Sequence, residues 1–212
     1  MDRRPLASRE TNWSKSLAKF LAKINLSPNR ISLLSVVFSV FALIAFQLSL
    51  NQKYFLLLAA FFIQMRLICN LLDGMVAIEY NKKSIYGNLF NDVPDRFADV
   101  FIIMGAGIFS REISYFSLNG LQLAYINSIL AVLTAYIRVL GVSVGTPMFF
   151  NGPMAKPQRM ALLTVICFIQ LIPGINFPLF YFSLLIMGLG QVLTIILRLK
   201  KIANSLNETR KL

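Results

Sequence analysis

The sequence predicts an all-α fold, a polytopic membrane bundle of six transmembrane helices preceded by an N-terminal amphipathic surface helix. Three observations lead to it. The 212 residues are 57% hydrophobic and 14% charged, with a mean hydropathy of +0.66, which is too apolar for a water-facing surface. Six apolar runs are long enough to cross a hydrocarbon core of ~30 Å. Lysines and arginines cluster between alternate runs.

The six predicted spans place both chain ends on one side of the bilayer. They cover residues 31–49, 54–78, 86–109, 121–142, 160–177 and 179–197. Most of the 21 lysines and arginines fall on the side of the termini, which the positive-inside rule makes cytoplasmic. We therefore expect a multi-pass integral membrane protein with both termini in the cytoplasm, in the cell inner membrane if bacterial. No removable signal peptide is evident.

Three segments organise the chain. Residues 1–30 predict a cytoplasmic arm with an amphipathic helix, because apolar side chains recur at helical spacing from Trp13 to Ile24 while lysines repeat every fourth residue on another face. Such a helix lies on anionic phospholipid; a solvated basic arm is the alternative. Residues 31–197 form the six-helix transmembrane domain, which Ser27-Pro28 would cap at its start. Residues 198–212 are a basic cytoplasmic tail.

The composition limits which partners the protein can have and which side chains can serve in catalysis or metal binding. The net charge of +12 follows the membrane pattern, so we expect no nucleic-acid partner. The chain has no histidine, which removes the commonest general base and transition-metal ligand. Cys69 and Cys167 lie inside apolar runs and are interpreted as core residues rather than a disulfide or metal site. Any chemistry must therefore rest on carboxylates.

Carboxylates are concentrated in spans two and three. Four of the nine acidic residues lie there, namely Asp73, Asp92, Asp95 and Asp99. Each charge in the middle of a bilayer costs roughly 2.5–3.5 kcal/mol, so a cation, a paired arginine or a water-filled cavity must compensate, and each of these points to function.

Spacing brings several of these groups together. Span two carries Asn70, Asp73 and Ala77 on one face, and span three carries Gly87, Asn91, Asp95 and Asp99 at every fourth position. The short polar link at 79–84 makes the two spans antiparallel neighbours. Oxygen ligands without histidine or thiolate suit magnesium, manganese or calcium.

This arrangement resembles the signature of the CDP-alcohol phosphotransferase family, Asp-x-x-Asp-Gly-x-x-Ala-Arg followed by Gly-x-x-x-Asp-x-x-x-Asp. The matching positions, at 70–95, are Asn70, Asp73, Gly74, Ala77, Gly87, Asn91 and Asp95. Residues 26–32 and 152–159 are also similar to family segments. The chain departs from the pattern at Asn70 and Asn91, where the family has aspartate, and at Ile78, where it has arginine. A shift of register to Asp92 or Asp99 would break the spacing from Gly87.

The resemblance implies an enzyme of phospholipid biosynthesis. Relatives displace CMP from a CDP-linked donor, most often CDP-diacylglycerol, with a small alcohol as nucleophile, and they are commonly homodimers. By resemblance Asp95 is the catalytic base, and one or two Mg²⁺ or Mn²⁺ ions are held by Asn70, Asp73, Asn91 and Asp95. Asp73, Gly74, Ala77 and Gly87 would line the nucleotide site. Arg96 would substitute for the missing arginine, and Lys156, Arg159 and Arg138 are candidates for acceptor or lipid phosphate.

Other interpretations stay open. A catalytically degenerate relative would bind a CDP-lipid or one metal as a scaffold or regulator. A cation- or proton-coupled transporter would also place acids in the membrane, but here they cluster towards the cytoplasmic half. Lys156 and Arg159 also fit the positive-inside rule alone, and Arg138 fits structural pairing alone. Finally, Arg66, Arg96 and Asp99 are consistent with a purely structural ion pair between helices.

Overall fold

The protein is mostly helical in the computed structural model, which describes residues 7–82 and 84–209. The lysines and arginines within 1–6, 83 and 210–212, which contribute to the predicted sidedness, lie outside this part of the chain. Seven α-helices form: α1 Asn12–Lys23, α2 Pro28–Ser49, α3 Phe55–Glu79, α4 Gly87–Phe109, α5 Gly120–Ser143, α6 Lys156–Ile169 and α7 Leu179–Thr209. The chain divides into two compact units, with the boundary within α4 after Ile102.

In the first unit, α2 and α3 pack along each other. Ser27 accepts a hydrogen bond from the Arg30 amide and Pro28 opens α2, so the predicted cap is confirmed. The side of α2 towards the core carries small residues, and Ser35 and Ser39 are fully buried with their hydroxyls donating to carbonyls of their own helix. Small residues let two helices approach closely without leaving polar groups unsatisfied.

Helix α1 packs on α3 through one face. Ala18 is buried in a cluster with Cys69 and Met75 of α3, whereas Trp13 and Phe20 are exposed. Lys82 donates hydrogen bonds of 2.8 Å to the Ala22 carbonyl near the end of α1 and to the Asn25 side chain. A cation at a helix C-terminus is favourable. The predicted helix before the first span therefore exists, and its position on a membrane surface remains a prediction.

In the second unit, α7 packs against α5 and α6. A hairpin of two short strands, β1 Ser114–Tyr115 and β2 Leu118–Asn119, precedes α5. The two turn residues, Phe116 and Ser117, have positive φ angles of 54° and 60°, as a two-residue type I′ hairpin turn requires. Asn119 then caps α5 in a reciprocal capping box with Gln122.

Four helices in the described part of the chain are long and apolar enough to cross a membrane: α2, α3, α5 and most of α7. Helix α4 is long enough, but it carries four charged residues between positions 92 and 99. Helix α6 has 14 residues, about 21 Å at 1.5 Å per residue, and ends at Ile169 rather than at 177. The six-span count stays a prediction. Helix α7 continues through the predicted tail to Thr209.

Candidate active site

Polar contacts of Asn70 and Arg66 join α3 to α4 within the first unit. Asn70 Nδ2 donates a hydrogen bond to Oδ1 of Asp95. One turn earlier on α3, Arg66 Nη2 donates to Asp99 Oδ1 at 2.6 Å and lies 3.4 Å from Asp95 Oδ1. The earlier residue on α3 contacts the later residue on α4, and the later residue on α3 contacts the earlier one on α4. The predicted antiparallel pairing of the two helices is therefore confirmed.

Arg66 is the largest fully buried side chain of this region, with 0% exposure. Its Nη2 also lies 3.4 Å from the Asp95 carbonyl oxygen, which accepts a hydrogen bond. Nε and Nη1 are buried and have no hydrogen-bond partner among the described residues. Burying a guanidinium costs free energy unless it is paired and hydrogen-bonded. The alternative of an interhelical ion pair is thus confirmed for Arg66 and Asp99, and the pair extends to Asp95.

Arg96 pairs differently. It forms an ion pair with Asp92, one turn earlier on the same helix. Both side chains are partly exposed, and such i, i+4 pairs on helix surfaces contribute only about 0.3–0.5 kcal/mol. Within the described part of the chain, Arg66 rather than Arg96 forms the interhelical ion pair with Asp99.

Asp73 is positioned from a third helix. Ser32 Oγ of α2 donates a hydrogen bond of 2.6 Å to Asp73 Oδ2, and both residues are buried. A hydrogen bond to an ionised carboxylate is shorter and stronger than one between neutral groups. Sequence reasoning gave Ser32 no role, although it lies in the segment 26–32 that resembles the family and one turn after the Ser27 cap.

The remaining residues predicted for the metal and nucleotide sites line the same two helices. Asn91 lies one turn before Asp95, and its side chain is exposed. Gly74 and Ala77 are half-buried on α3. Gly87 begins α4, where an added Cβ would meet nothing closer than the Ser84 hydroxyl at 3.6 Å. The structure thus brings Asn70 and Asp95 into direct contact and places the others one or two turns away along α3 and α4.

The predicted phosphate-binding cations lie in the second unit. Arg159 is buried, and its Nη1 donates to the Met154 carbonyl at 3.1 Å and lies 3.5 Å from the Thr134 hydroxyl. Arg138 lies over the Phe150 ring at 5.5 Å, an energetically favourable cation–π distance. Lys156 is half-buried and is the first residue of α6.

Sequence reasoning missed Arg198, which it assigned to the tail. Arg198 is buried within α7 and donates from Nη1 to the Thr134 carbonyl and from Nε to the Asn151 carbonyl at 3.0 Å. Thr134 therefore contacts both Arg198 and Arg159. The available signal was that Arg198 directly follows an apolar run, where a long helix can keep an arginine buried.

The oxygen donors suit a hard divalent cation. Among the described residues, no three histidine, cysteine or acidic side chains come together as a metal-binding group. Mg²⁺ is commonly bound by only one or two carboxylates, with substrate phosphates and water completing its shell. Asp73 and Asp95 supply such a pair of carboxylates. The donor set therefore fits a cation whose coordination is completed by oxygen atoms of a phosphorylated substrate.

Comparison with known proteins identifies the family. Residues 25–196 match the model of the CDP-alcohol phosphatidyltransferase family. The chain belongs to this family. An uncharacterized protein of Aquifex aeolicus (strain VF5) is 26% identical over 194 residues, which cover 92% of this chain and 91% of that protein. The predicted family resemblance is therefore confirmed, and with it a transferase of phospholipid synthesis in the membrane.

Solved structures show that this phosphatidyltransferase shares the fold of a characterised enzyme. Mycobacterium tuberculosis phosphatidylinositol phosphate synthase (PgsA1) with CDP-DAG bound is similar with a TM-score of 0.74 and 18% identity, covering 91% of this chain and 94% of that one. The same enzyme in complex with manganese and citrate also gives a TM-score of 0.74, at 19% identity and with coverage of 91% and 90%.

Proposed function

We propose that this phosphatidyltransferase moves a phosphatidyl-type group from a CDP-linked lipid, CDP-diacylglycerol, to a small alcohol and releases CMP. One observation carries the proposal. Asn70 and Asp95, from the two halves of the family signature, are in hydrogen-bond contact between α3 and α4, which supports a single site built from both halves. A relative of the same fold has been solved with CDP-DAG bound, which supports the choice of donor.

Asp95 is the proposed general base. Its carboxylate accepts the proton of the acceptor hydroxyl while the alcohol oxygen forms a bond to the phosphorus that carries the diacylglycerol. The bond from this phosphorus to the oxygen of the CMP phosphate breaks at the same time, and CMP leaves with the bonding electrons. Contacts with Asn70 and Arg66 fix Asp95 Oδ1, so the base is oriented before the alcohol binds.

Asp73 is the second proposed charged ligand. With Asn70, Asn91 and Asp95 it would hold Mg²⁺ or Mn²⁺, and a relative solved in complex with manganese supports this assignment. The ion supplies positive charge that neutralises the diphosphate and the departing CMP. Ser32 keeps the Asp73 carboxylate in place through the hydrogen bond of 2.6 Å.

The donor nucleotide would lie along the small residues of the signature. Gly74, Ala77 and Gly87 leave the backbone of α3 and the start of α4 accessible, and Asp73 borders them. The proposed contacts for an acceptor or lipid phosphate are three cations of the second unit, Lys156, Arg159 and Arg138. Guanidinium groups bind phosphate through paired hydrogen bonds, and the lysine ammonium group binds it as a point charge. Homodimer formation and cytoplasmic termini are part of the same proposal.

A second candidate is a catalytically degenerate family member that binds a CDP-lipid or one metal as a scaffold or regulator. The observation that favours it is the contact at Asp95. The partner there is the amide of Asn70, a hydrogen-bond donor, whereas the family pattern has a second carboxylate.

Release of CMP distinguishes the two candidates. The full-length protein is purified and supplied with CDP-diacylglycerol, Mg²⁺ or Mn²⁺ and a panel of alcohols. We expect metal-dependent release that Asp95→Asn lowers at least about 100-fold, since general-base catalysis contributes about 10²–10⁴-fold. The matched control Glu112→Gln also removes one carboxylate, at an exposed loop position, and leaves release unchanged. Binding of CDP-diacylglycerol without release for any alcohol would establish the degenerate member.

A further inference from the structure

Buried charged groups lie beside Asp95. The guanidinium of Arg66 pairs with the carboxylates of Asp95 and Asp99, and all three side chains are buried. Asp73 is a further buried carboxylate and accepts a hydrogen bond from Ser32. Asp92 and Arg96 pair with each other one turn apart on α4, where both are partly exposed. One positive charge of the protein therefore already serves the carboxylate of Asp95.

One oxygen of Asp95 already contacts two hydrogen-bond donors of the protein, one of which is positively charged. Oδ1 accepts a hydrogen bond from Asn70 Nδ2 and lies 3.4 Å from Arg66 Nη2. The guanidinium cannot be deprotonated in a protein and offers only donors. It is also fixed, because Asp99 accepts from the same nitrogen at 2.6 Å and the side chain has no exposed surface.

We propose that Arg66 and Asn70 together act as a built-in counter-cation for Asp95, so that this enzyme binds one divalent ion and not two. The inference rests on the proposed function, since the ion is the one that neutralises the diphosphate. A second dication at Asp95 Oδ1 would meet the positive guanidinium and the positive end of the amide dipole, and both repel it.

Asn70 makes this arrangement possible. An aspartate at position 70 would place two carboxylates against each other, and like charges in contact are relieved by a cation or by a shared proton between them. A carboxamide instead supplies its own hydrogen to the partner carboxylate. Position 70 therefore determines whether Asp95 Oδ1 has a second protein donor beside Arg66 or a second negative charge.

The number of bound ions tests the proposal directly. Mn²⁺ is titrated into the full-length protein in an uncharged detergent, and free Mn²⁺ is measured by electron paramagnetic resonance. We expect saturation at one Mn²⁺ per wild-type chain and at two per chain for Asn70→Asp. Two ions, or none, on the wild type would overturn the proposal. One ion on both proteins would show that Asn70 does not limit the number of bound ions, and would overturn the joint role of Arg66 and Asn70.

Substitution of the arginine gives a second readout. Arg66→Gln removes the internal positive charge, and we expect it to tighten Mn²⁺ binding about tenfold through the lost repulsion, while Arg66→Lys keeps wild-type affinity. The matched control Arg111→Gln removes a cation from an exposed pair with Glu112 and changes nothing. Equal affinities for Arg66→Gln and wild type would contradict the inference. If Arg66→Gln does not fold, the wild-type and Asn70→Asp stoichiometries still decide.

Activity is measured separately, so the two proposals fail separately. One Mn²⁺ per chain without CMP release from any alcohol would remove the proposed transfer and leave the counter-cation in place. Two Mn²⁺ per chain with CMP release would overturn the counter-cation proposal and leave the proposed transfer reaction in place.

Discussion

We predict that Asp99→Ala lowers the thermal stability of the protein more than Asp92→Ala, another acid-to-alanine change on α4. Among the described residues, Asp99→Ala leaves the buried Arg66 guanidinium with the Asp95 carboxylate at 3.4 Å in place of the Asp99 carboxylate at 2.6 Å. Breaking a buried ion pair costs roughly 3–5 kcal/mol, and the retained Asp95 contact places this change near the lower value, about 3 kcal/mol. At roughly 2–4 °C per kcal/mol for a chain of this size, the melting midpoint falls by roughly 6–12 °C.

Buried thiols provide the assay. Cys69 on α3 and Cys167 on α6 are both free and buried, so a thiol-reactive fluorophore labels them only when the protein opens. In a Cys167→Ala background the signal comes from Cys69, three residues from Arg66 on the same helix. The matched control is Asp92→Ala, which breaks the partly exposed pair with Arg96 and should lower the midpoint by less than about 2 °C. Equal, small shifts for Asp99→Ala and Asp92→Ala would refute the reasoning.

Two further predictions concern the site and the second unit. Ser32→Ala removes a charged hydrogen bond worth about 1.5–3 kcal/mol, so the Mn²⁺ concentration for half-maximal CMP release should rise about tenfold or more, while Ser32→Thr, which keeps the hydroxyl, stays near wild type; equal values for both variants would exclude Ser32 as the residue that positions Asp73. Gly107→Ala should lower the thermal midpoint by the equivalent of about 1–3 kcal/mol, because its Cβ would lie 2.2 Å from the Ala124 Cβ; an unchanged midpoint would show that α4 and α5 can separate there at no cost.

Local spacing was enough to predict the central contact of the site. Asn70 and Asp95 were placed on facing sides of two helices joined by a short link, and such a link leaves antiparallel packing as the accessible arrangement. The structure joins these two side chains. The Arg66–Asp99 pair followed from the same geometry, because a charge inside an apolar run needs a partner within reach.

Contacts from elements distant in the sequence could not be predicted in this way. Ser32 is 41 residues from Asp73, and nothing in the pattern of α2 indicates which buried serine faces a carboxylate. Arg198 was assigned to a tail because basic residues usually mark the end of a span. The structure instead continues α7 to Thr209 and buries this arginine against backbone carbonyls. Which carbonyls an arginine contacts depends on tertiary packing that periodicity does not encode.

The two asparagines of the signature have different physical consequences although they are the same change from the family pattern. Asn91 is exposed, so an uncharged side chain there makes the site less negative. The described hydrogen bonds include no new contact of this side chain. Asn70 instead donates to Asp95 beside a buried arginine. The amide at position 70 fits the guanidinium at position 66, because both supply donors to one carboxylate and neither requires an ion between them. Loss of a carboxylate at 70 is therefore also the gain of a connection between α3 and α4.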